Sequence, residues 1–284
     1  MAYENKIGII LELSRFFEVA QSEAMDRMID AGLETVQVLV HTGSFPLTSE
    51  ENTEKLLKMI DGRLTITSVW GGWSGPQVWN FIDGPATLGL VPEAYRAMRL
   101  KDLEVSADYA RRLGVHDLAT HVGFVPEQPC YQGYRELVSG VRYIADYCAK
   151  NDLYFNFETG QETPVTLMRL FDDVGASNLG VNLDPANLIL YGRGNPIDAV
   201  DIYGDKIRGV HVKDGDYPKG DFSKLGVQKV VGDGSVNFPV FLPKLLKNGY
   251  KGDLYIEHEI SGVAEDKRTD DIIRTIAYIK TLKA

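Results

Sequence analysis

Apolar residues along this chain keep two rhythms. Short, nearly continuous apolar runs recur at 6–13 (KIGIILEL), 34–40 (ETVQVLV), 64–70 (LTITSVW), 115–121 (VHDLATH), 153–158 (LYFNFE), 179–184 (LGVNLD), 207–213 (IRGVHVK) and 253–257 (DLYIE). Between them lie longer stretches whose apolar residues return every three or four positions, at 18–31, 49–60, 92–113, 132–150, 164–173, 196–203, 238–247 and 266–282. The first rhythm predicts buried strands and the second amphipathic helices. Glycines closing the first and third helical stretches, in AGLE and RLGV, supply a common helix stop.

Strands and helices in strict alternation predict a parallel sheet. Eight such units in 284 residues favour a closed (β/α)₈ barrel over an open doubly wound sheet. No segment rich in Pro, Gly or Ser reads as a linker, so the expectation is an α/β protein with one barrel domain spanning 1–284. The dinucleotide fingerprint GxGxxG does not follow the first strand, and GxxxxGK[ST] is missing. Two long loops, 71–91 and 214–237, follow the third and seventh strands. Both belong at the C-terminal mouth, where barrels of this kind place their chemistry.

That placement makes the ends of the strands informative. Alternation along a strand sets Tyr154, Asn156 and Glu158 opposite Leu153, Phe155 and Phe157. By the same rule Asn182 shares a face with Asp184, His211 with Gly209 and Lys213, and Glu257 with Tyr255 and Glu259. Each has an ordinary explanation alone: a helix-capping acid, a turn Asp before Pro185, a satisfied core histidine, a solvated strand edge. Four consecutive strands ending in metal-ligating residue types point instead to a site. Carboxylates gathered around one lumen cannot all stay ionised without a compensating cation. An oxygen-rich set with one imidazole suits Mn²⁺ or Mg²⁺, with Co²⁺ or Zn²⁺ also accommodated. His121, ending the fourth strand, faces the same mouth and is a candidate to hold a substrate hydroxyl or carbonyl. Lys213 is a candidate for the same task or for neutralising an enediolate.

Composition narrows the partners. A formal net charge of −10 with no dense Lys/Arg stripe argues against nucleic acid. No apolar run approaches the length of about 18 residues that a membrane span needs. The opening MAYENKIGII lacks a basic leader region. Cys130 and Cys148 form no CxxC pair, so a reducing, cytoplasmic setting is expected. Whether the chain forms a homo-oligomer is left open.

The segments FETGQE, NLDPAN, GVHVKD, GDGSVNF followed by LLKNGYKG, and YIEHE, in that order, resemble the xylose isomerase-like TIM barrels. That family includes sugar and sugar-phosphate isomerases and epimerases, hydroxypyruvate isomerases, inosose dehydratases and apurinic endonucleases. The resemblance is close over the C-terminal half, and the repeat pattern extends it to the whole chain. It implies metal ligands Glu158, Asp184, His211 and Glu257, with Glu259 the alternative on the last strand. It further implies that Glu158 and Glu257 double as acid and base. His121, Lys213, Asn187, Gln161 and Trp70 are the expected substrate contacts, with Trp70, Trp73 and the 71–91 loop forming a wall against a sugar ring. Two departures stand out. Tagatose- and psicose-type epimerases carry a His where this chain has Asn187, and an Arg downstream of the strand 7 His, where this chain offers Lys213 and Tyr217.

The resulting expectation is a divalent-metal-dependent sugar isomerase or epimerase that removes an α-proton and passes through an enediolate. A lyase or dehydratase acting on a keto-sugar or cyclitol is the main alternative. An abasic-site endonuclease is disfavoured by the charge and by only five histidines, of which His41 and His116 lie outside the predicted cluster. A non-catalytic sugar-binding barrel is disfavoured by intact ligand positions. With no phosphate loop, a non-phosphorylated sugar is the expected substrate.

Overall fold

The computed structural model describes residues 5–283. Part of the leader reading, residues 1–4, lies outside the described residues. Every predicted apolar run contains a strand: β1 (Ile7–Glu12), β2 (Thr35–Val40), β3 (Thr65–Gly71), β4 (Asp117–Thr120), β5 (Tyr154–Glu158), β6 (Leu179–Leu183), β7 (Ile207–Val212) and β8 (Leu254–Ile256). They close in the order β1-β8-β7-β6-β5-β4-β3-β2, every pair parallel. The outward faces, such as Val36 and Val38, Phe155 and Phe157, and Val210 and Val212, are buried in the apolar core that includes the surrounding helices.

The barrel interior is polar. At its N-terminal end Arg208 grips Asp117 through Nε at 2.6 Å, and Asn156 Nδ2 donates to the same carboxylate at 2.9 Å. The pairing of β6 with β7 shifts register at Arg208, and that of β2 with β3 shifts at Thr67. Above the first shift the two-residue alternation resumes, so Gly209 and His211 share a face.

Helix prediction fails where elements are short. The stretch 18–31 is two helices, Leu13–Val19 and Glu23–Ala31, because Ser22 caps a fresh start by accepting from Met25 N at 3.2 Å. Leu13 was placed in the first strand but begins a helix, since the Glu12 carboxylate accepts from Arg15 N at 3.1 Å. The helices Gly84–Thr87 and Pro185–Leu190, the 3₁₀ turn Thr42–Thr48 and the hairpin Asp214–Asp216/Val227–Lys229 left no periodic trace.

Two buried charges organise the loops of the mouth. Arg99, fully buried, donates to the carbonyls of Ser74, Pro76, Thr87 and Gly89 at 2.6–3.0 Å and lies 4.6 Å from the Trp73 ring centroid. Desolvation lowers its pKa to about 10. Asp214 accepts from the backbone N–H groups of Gly215, Gly232, Gly234 and Val236 at 2.8–3.1 Å. A Cβ at Gly234 would collide with that carboxylate, so the second glycine of GDGS is required by close approach. Among the described residues no helix is long and apolar enough to cross a membrane.

Candidate functional site

Four buried side chains meet at the C-terminal mouth. Glu158 is the last residue of β5, Asp184 follows β6, His211 lies within β7 and Glu257 follows β8. One ligand atom from each lies within 4.8 Å of all the others. His211 Nδ1 is 2.8 Å from Glu257 Oε2, 3.3 Å from Glu158 Oε1 and 3.8 Å from Asp184 Oδ2.

Local structure holds each group in place. Asp184 caps the helix Pro185–Leu190, its Oδ1 accepting from Asn187 N at 2.9 Å, which leaves Oδ2 for the centre. Gln228, on the hairpin, spans the chain after β8 by donating to Glu257 O at 3.1 Å and accepting from Glu259 N at 3.2 Å. His211 Nε2 lies 2.7 Å from Gln37 Oε1 and 2.9 Å from Asn182 Nδ2, which fixes the ring with Nδ1 turned to the carboxylates. Gln37 is itself held by donating to Ser68 Oγ at 3.0 Å.

The fit to a cation follows from what is left over. Asp184 Oδ2, His211 Nδ1 and Glu257 Oε2 are buried, converge on one another and have no hydrogen-bond partner. Buried polar atoms are seldom left this way. Lys213 Nζ lies 3.6 Å from Asp184 Oδ2, 3.3 Å from Glu257 Oε2 and 2.7 Å from Glu259 Oε2. With His211 neutral, as a metal ligand must be, three buried carboxylates against one ammonium leave the centre net negative, a deficit that a divalent ion offsets. The cluster can therefore hold a divalent metal, in a donor set of carboxylate oxygen and imidazole nitrogen.

Electrostatics report the same crowding. Burial acts to lower the His211 pKa, but Glu158 and Glu257 outweigh it and raise it well above the usual value. For Lys213 burial also opposes the charge, and Glu257, Glu259 and Asp184 overcome it, leaving the pKa well raised. Glu158 feels burial pushing its pKa up, yet His121 and His211 hold it well below the usual carboxylate range.

Glu158 is the most heavily tethered of the four. Trp70 Nε1 donates to its Oε2, while Asn187 Nδ2 at 3.1 Å and His121 Nε2 at 3.2 Å meet Oε1. A pocket of about 460 Å³ opens above it, with Glu158, Glu257, Lys213, His121, Asn187 and Trp70 in its lining. Gln161 is not in that lining. It is buried with neither amide atom hydrogen-bonded. Glu259 stands outward, its side chain 62% exposed, and is not among the four. Trp73 lies behind the wall: it is buried, donates to Thr120 Oγ1 at 3.0 Å and stacks at 6.2 Å on Trp79, whose ring reaches the pocket.

Several contributors escaped the reading of the sequence. Gln37, a polar residue inside the apolar run TVQVLV, carried a usable signal, since alternation turns it inward. Trp79 and Gln228 sit on loops with no periodicity and carried none. His41, expected outside the cluster, is outside it but lines the pocket, its ring 6.3 Å from that of Trp70.

The model of the xylose isomerase-like TIM barrel family matches residues 25–282. No curated protein matches this sequence. Among solved structures, a xylose isomerase domain protein from Planctomyces limnophilus is 28% identical, with 98% of this chain and 96% of that one covered and a TM-score of 0.85. A D-tagatose 3-epimerase-like protein is 20% identical, with 98% and 97% covered and a TM-score of 0.69. The probable 3-DHS dehydratase AsbF from Bacillus anthracis is 16% identical, with 97% and 98% covered and a TM-score of 0.68. Sugar epimerases and a dehydratase thus share this fold.

Proposed function

We propose that this chain, which belongs to the xylose isomerase-like TIM barrel family, is a divalent-metal-dependent isomerase or epimerase of a hydroxy-carbonyl sugar. The observation that carries the reading is the convergence of three unpartnered ligand atoms, from Asp184, His211 and Glu257, beside Glu158 at the floor of a pocket. The oxygen-rich donor set favours Mn²⁺, with Mg²⁺, Co²⁺ and Zn²⁺ as substitutes. Glu158, Asp184, His211 and Glu257 would hold such an ion, which would supply Lewis acidity toward the substrate carbonyl.

The residues of the chain supply the proton chemistry. One of Glu158 and Glu257 takes the proton from the carbon between carbonyl and hydroxyl, and the electron pair passes into an enediolate. The other, rising from a different side of the mouth, returns a proton. Delivery to the opposite face of the same carbon inverts it; delivery to the adjacent carbon, with the hydroxyl proton passing to the former carbonyl oxygen, moves the carbonyl. The Lys213 ammonium stabilises the developing oxyanion, and His121 and Asn187 orient hydroxyls while holding Glu158. Lys213 is the one Lys or Arg lining the pocket among the described residues, and carboxylates already engage it. That supports a sugar without a phosphate.

One observation favours the dehydratase reading as second choice. The same ammonium, 3.3 Å from Glu257 Oε2, would assist a hydroxyl departing after proton removal. A deuterium test separates the two. The protein is analysed for metal, then incubated with Mn²⁺ and a panel of ketoses in D₂O and followed by NMR. Deuterium at the carbon beside the carbonyl, without loss of water and abolished in Glu158→Gln, is the expected result. Loss of water from a keto-sugar replaces the isomerase with the dehydratase, and exchange that persists in Glu158→Gln removes Glu158 from the reaction.

A further inference from the structure

We propose that Glu259, which stands outside the ligand cluster, is a positioning residue: it anchors the Lys213 ammonium at the rim of the mouth and keeps it off the oxygens that would take the metal. This rests on the metal-dependent reading above and gives a role to an acid which that reading leaves without one.

Hydrogen bonding separates Glu259 from the other acids around Lys213. The ammonium has Glu259 Oε2 at 2.7 Å, Glu257 Oε2 at 3.3 Å and Asp184 Oδ2 at 3.6 Å. It donates a hydrogen bond to Glu259, while Asp184 Oδ2 and Glu257 Oε2 have no hydrogen-bond partner. An ammonium carries three donors and could serve several acids at once. Here its bond goes to the acid that is not in the ligand set, 62% exposed in the lining of the pocket.

The backbone around Glu259 is held in place. β8 ends at Ile256, and beyond it the Gln228 side-chain amide donates to Glu257 O and accepts from Glu259 N. Those are the two bonds that the peptide of a neighbouring parallel strand would make, so Gln228 continues the ladder past the end of β8. The hairpin that carries Gln228 is tied down in turn, with Gly226 N donating to Leu190 O at 2.8 Å. Glu257 at the floor and Glu259 at the rim are thereby both kept within reach of Lys213.

The anchor matters because a cation in the cluster and the ammonium compete for the same two oxygens. Without the Glu259 carboxylate, the acids left beside Lys213 are Glu257 and Asp184. The ammonium then settles on them and opposes a divalent ion.

The test is a cycle of four full-length proteins: wild type, Glu259→Gln, Lys213→Met and the double variant. Mn²⁺ affinity is read by competition with a chelator of known affinity, and thermal unfolding checks that each protein is folded. Glu259→Gln is expected to weaken Mn²⁺ binding by about tenfold with Lys213 present, and by about twofold or less in the Lys213→Met background. Equal losses in the two backgrounds would make Glu259 a distant charge and overturn the anchor. Unchanged affinity in Glu259→Gln overturns it too, and leaves the metal site standing. Urea unfolding of the same proteins in excess chelator reads the pair without an ion. There the two substitutions are expected to be non-additive by about threefold in the unfolding constant, and additivity overturns the anchor. Non-additivity in a wild type that binds no Mn²⁺ keeps the anchor and removes only the metal reading.

Discussion

At the scale of single residues, Lys213 decides the charge balance of the centre. It is 4% exposed and sits against three acids, two of them in the ligand cluster. Replacing it by an apolar group of similar length leaves the carboxylates without their internal cation. Lys213→Met is therefore expected to bind Mn²⁺ more tightly while slowing deuterium exchange by about a hundredfold or more. Calorimetry and NMR on the same preparation check both signs. Gln37 works one step behind the cluster by holding the His211 ring through Nε2. Gln37→Met should weaken Mn²⁺ binding by about 10- to 100-fold, measured by competition with a chelator of known affinity.

Glu162 carries a separate prediction about pH. It is 4% exposed, and burial pushes its pKa from 4.5 up to about 7, with His121 pulling in the other direction. A raised carboxylate pKa means that the folded state holds the proton more tightly than the unfolded state. The contribution is fully present below about pH 4.5 and is lost as pH rises through about 7, amounting to about 3 kcal/mol. Urea titrations at pH 5 and pH 8 should show Glu162→Gln gaining stability on wild type at the higher pH. Equal pH slopes for the two proteins would remove Glu162 as the cause.

At the scale of elements, the mouth is assembled by loops tied to buried charges rather than by their own periodic structure. Arg99 satisfies four carbonyls of the 72–91 segment. Arg99→Met should destabilise the fold by about 3 kcal/mol, because the buried Gly89 carbonyl and three part-buried ones lose their donor together. Limited proteolysis should then cut first within 72–91, under the Trp73–Trp79 stack. The eight strands and the long helices were legible in the sequence, because burial on one face imposes a period that many residues repeat. The helix Pro185–Leu190 was not. It is too short to show a period, and its start depends on Asp184 serving at once as cap and as member of the cluster.

At the scale of the molecule, the cluster couples folding to metal. Three carboxylates and an imidazole are held together only in the folded barrel, so an ion held there, Mn²⁺ in the proposal, would bind that state in preference to the unfolded chain. At a free concentration of about 100 times Kd, the gain is about 2.7 kcal/mol, and chelation should lower Tm by several degrees. A Tm indifferent to both Mn²⁺ and chelator would show that the four residues bind no ion.

The sequence by itself determined the barrel and the inward parity of Glu158, Asp184, His211 and Glu257, since alternation along a strand leaves a side chain only two faces. It also supplied the residue types from which a cation requirement follows. Only the tertiary structure decided which acids meet. Glu257 joins the group while Glu259, on the same face two residues on, turns out to solvent beside Lys213. It decided as well that Trp79 rather than Trp73 faces the pocket, and that Gln37 and Gln228 hold the ligands from β2 and from a hairpin. Those choices depend on barrel closure and on loop paths set by Arg99 and Asp214. Contacts of that kind join residues far apart in the chain, and no local pattern records them.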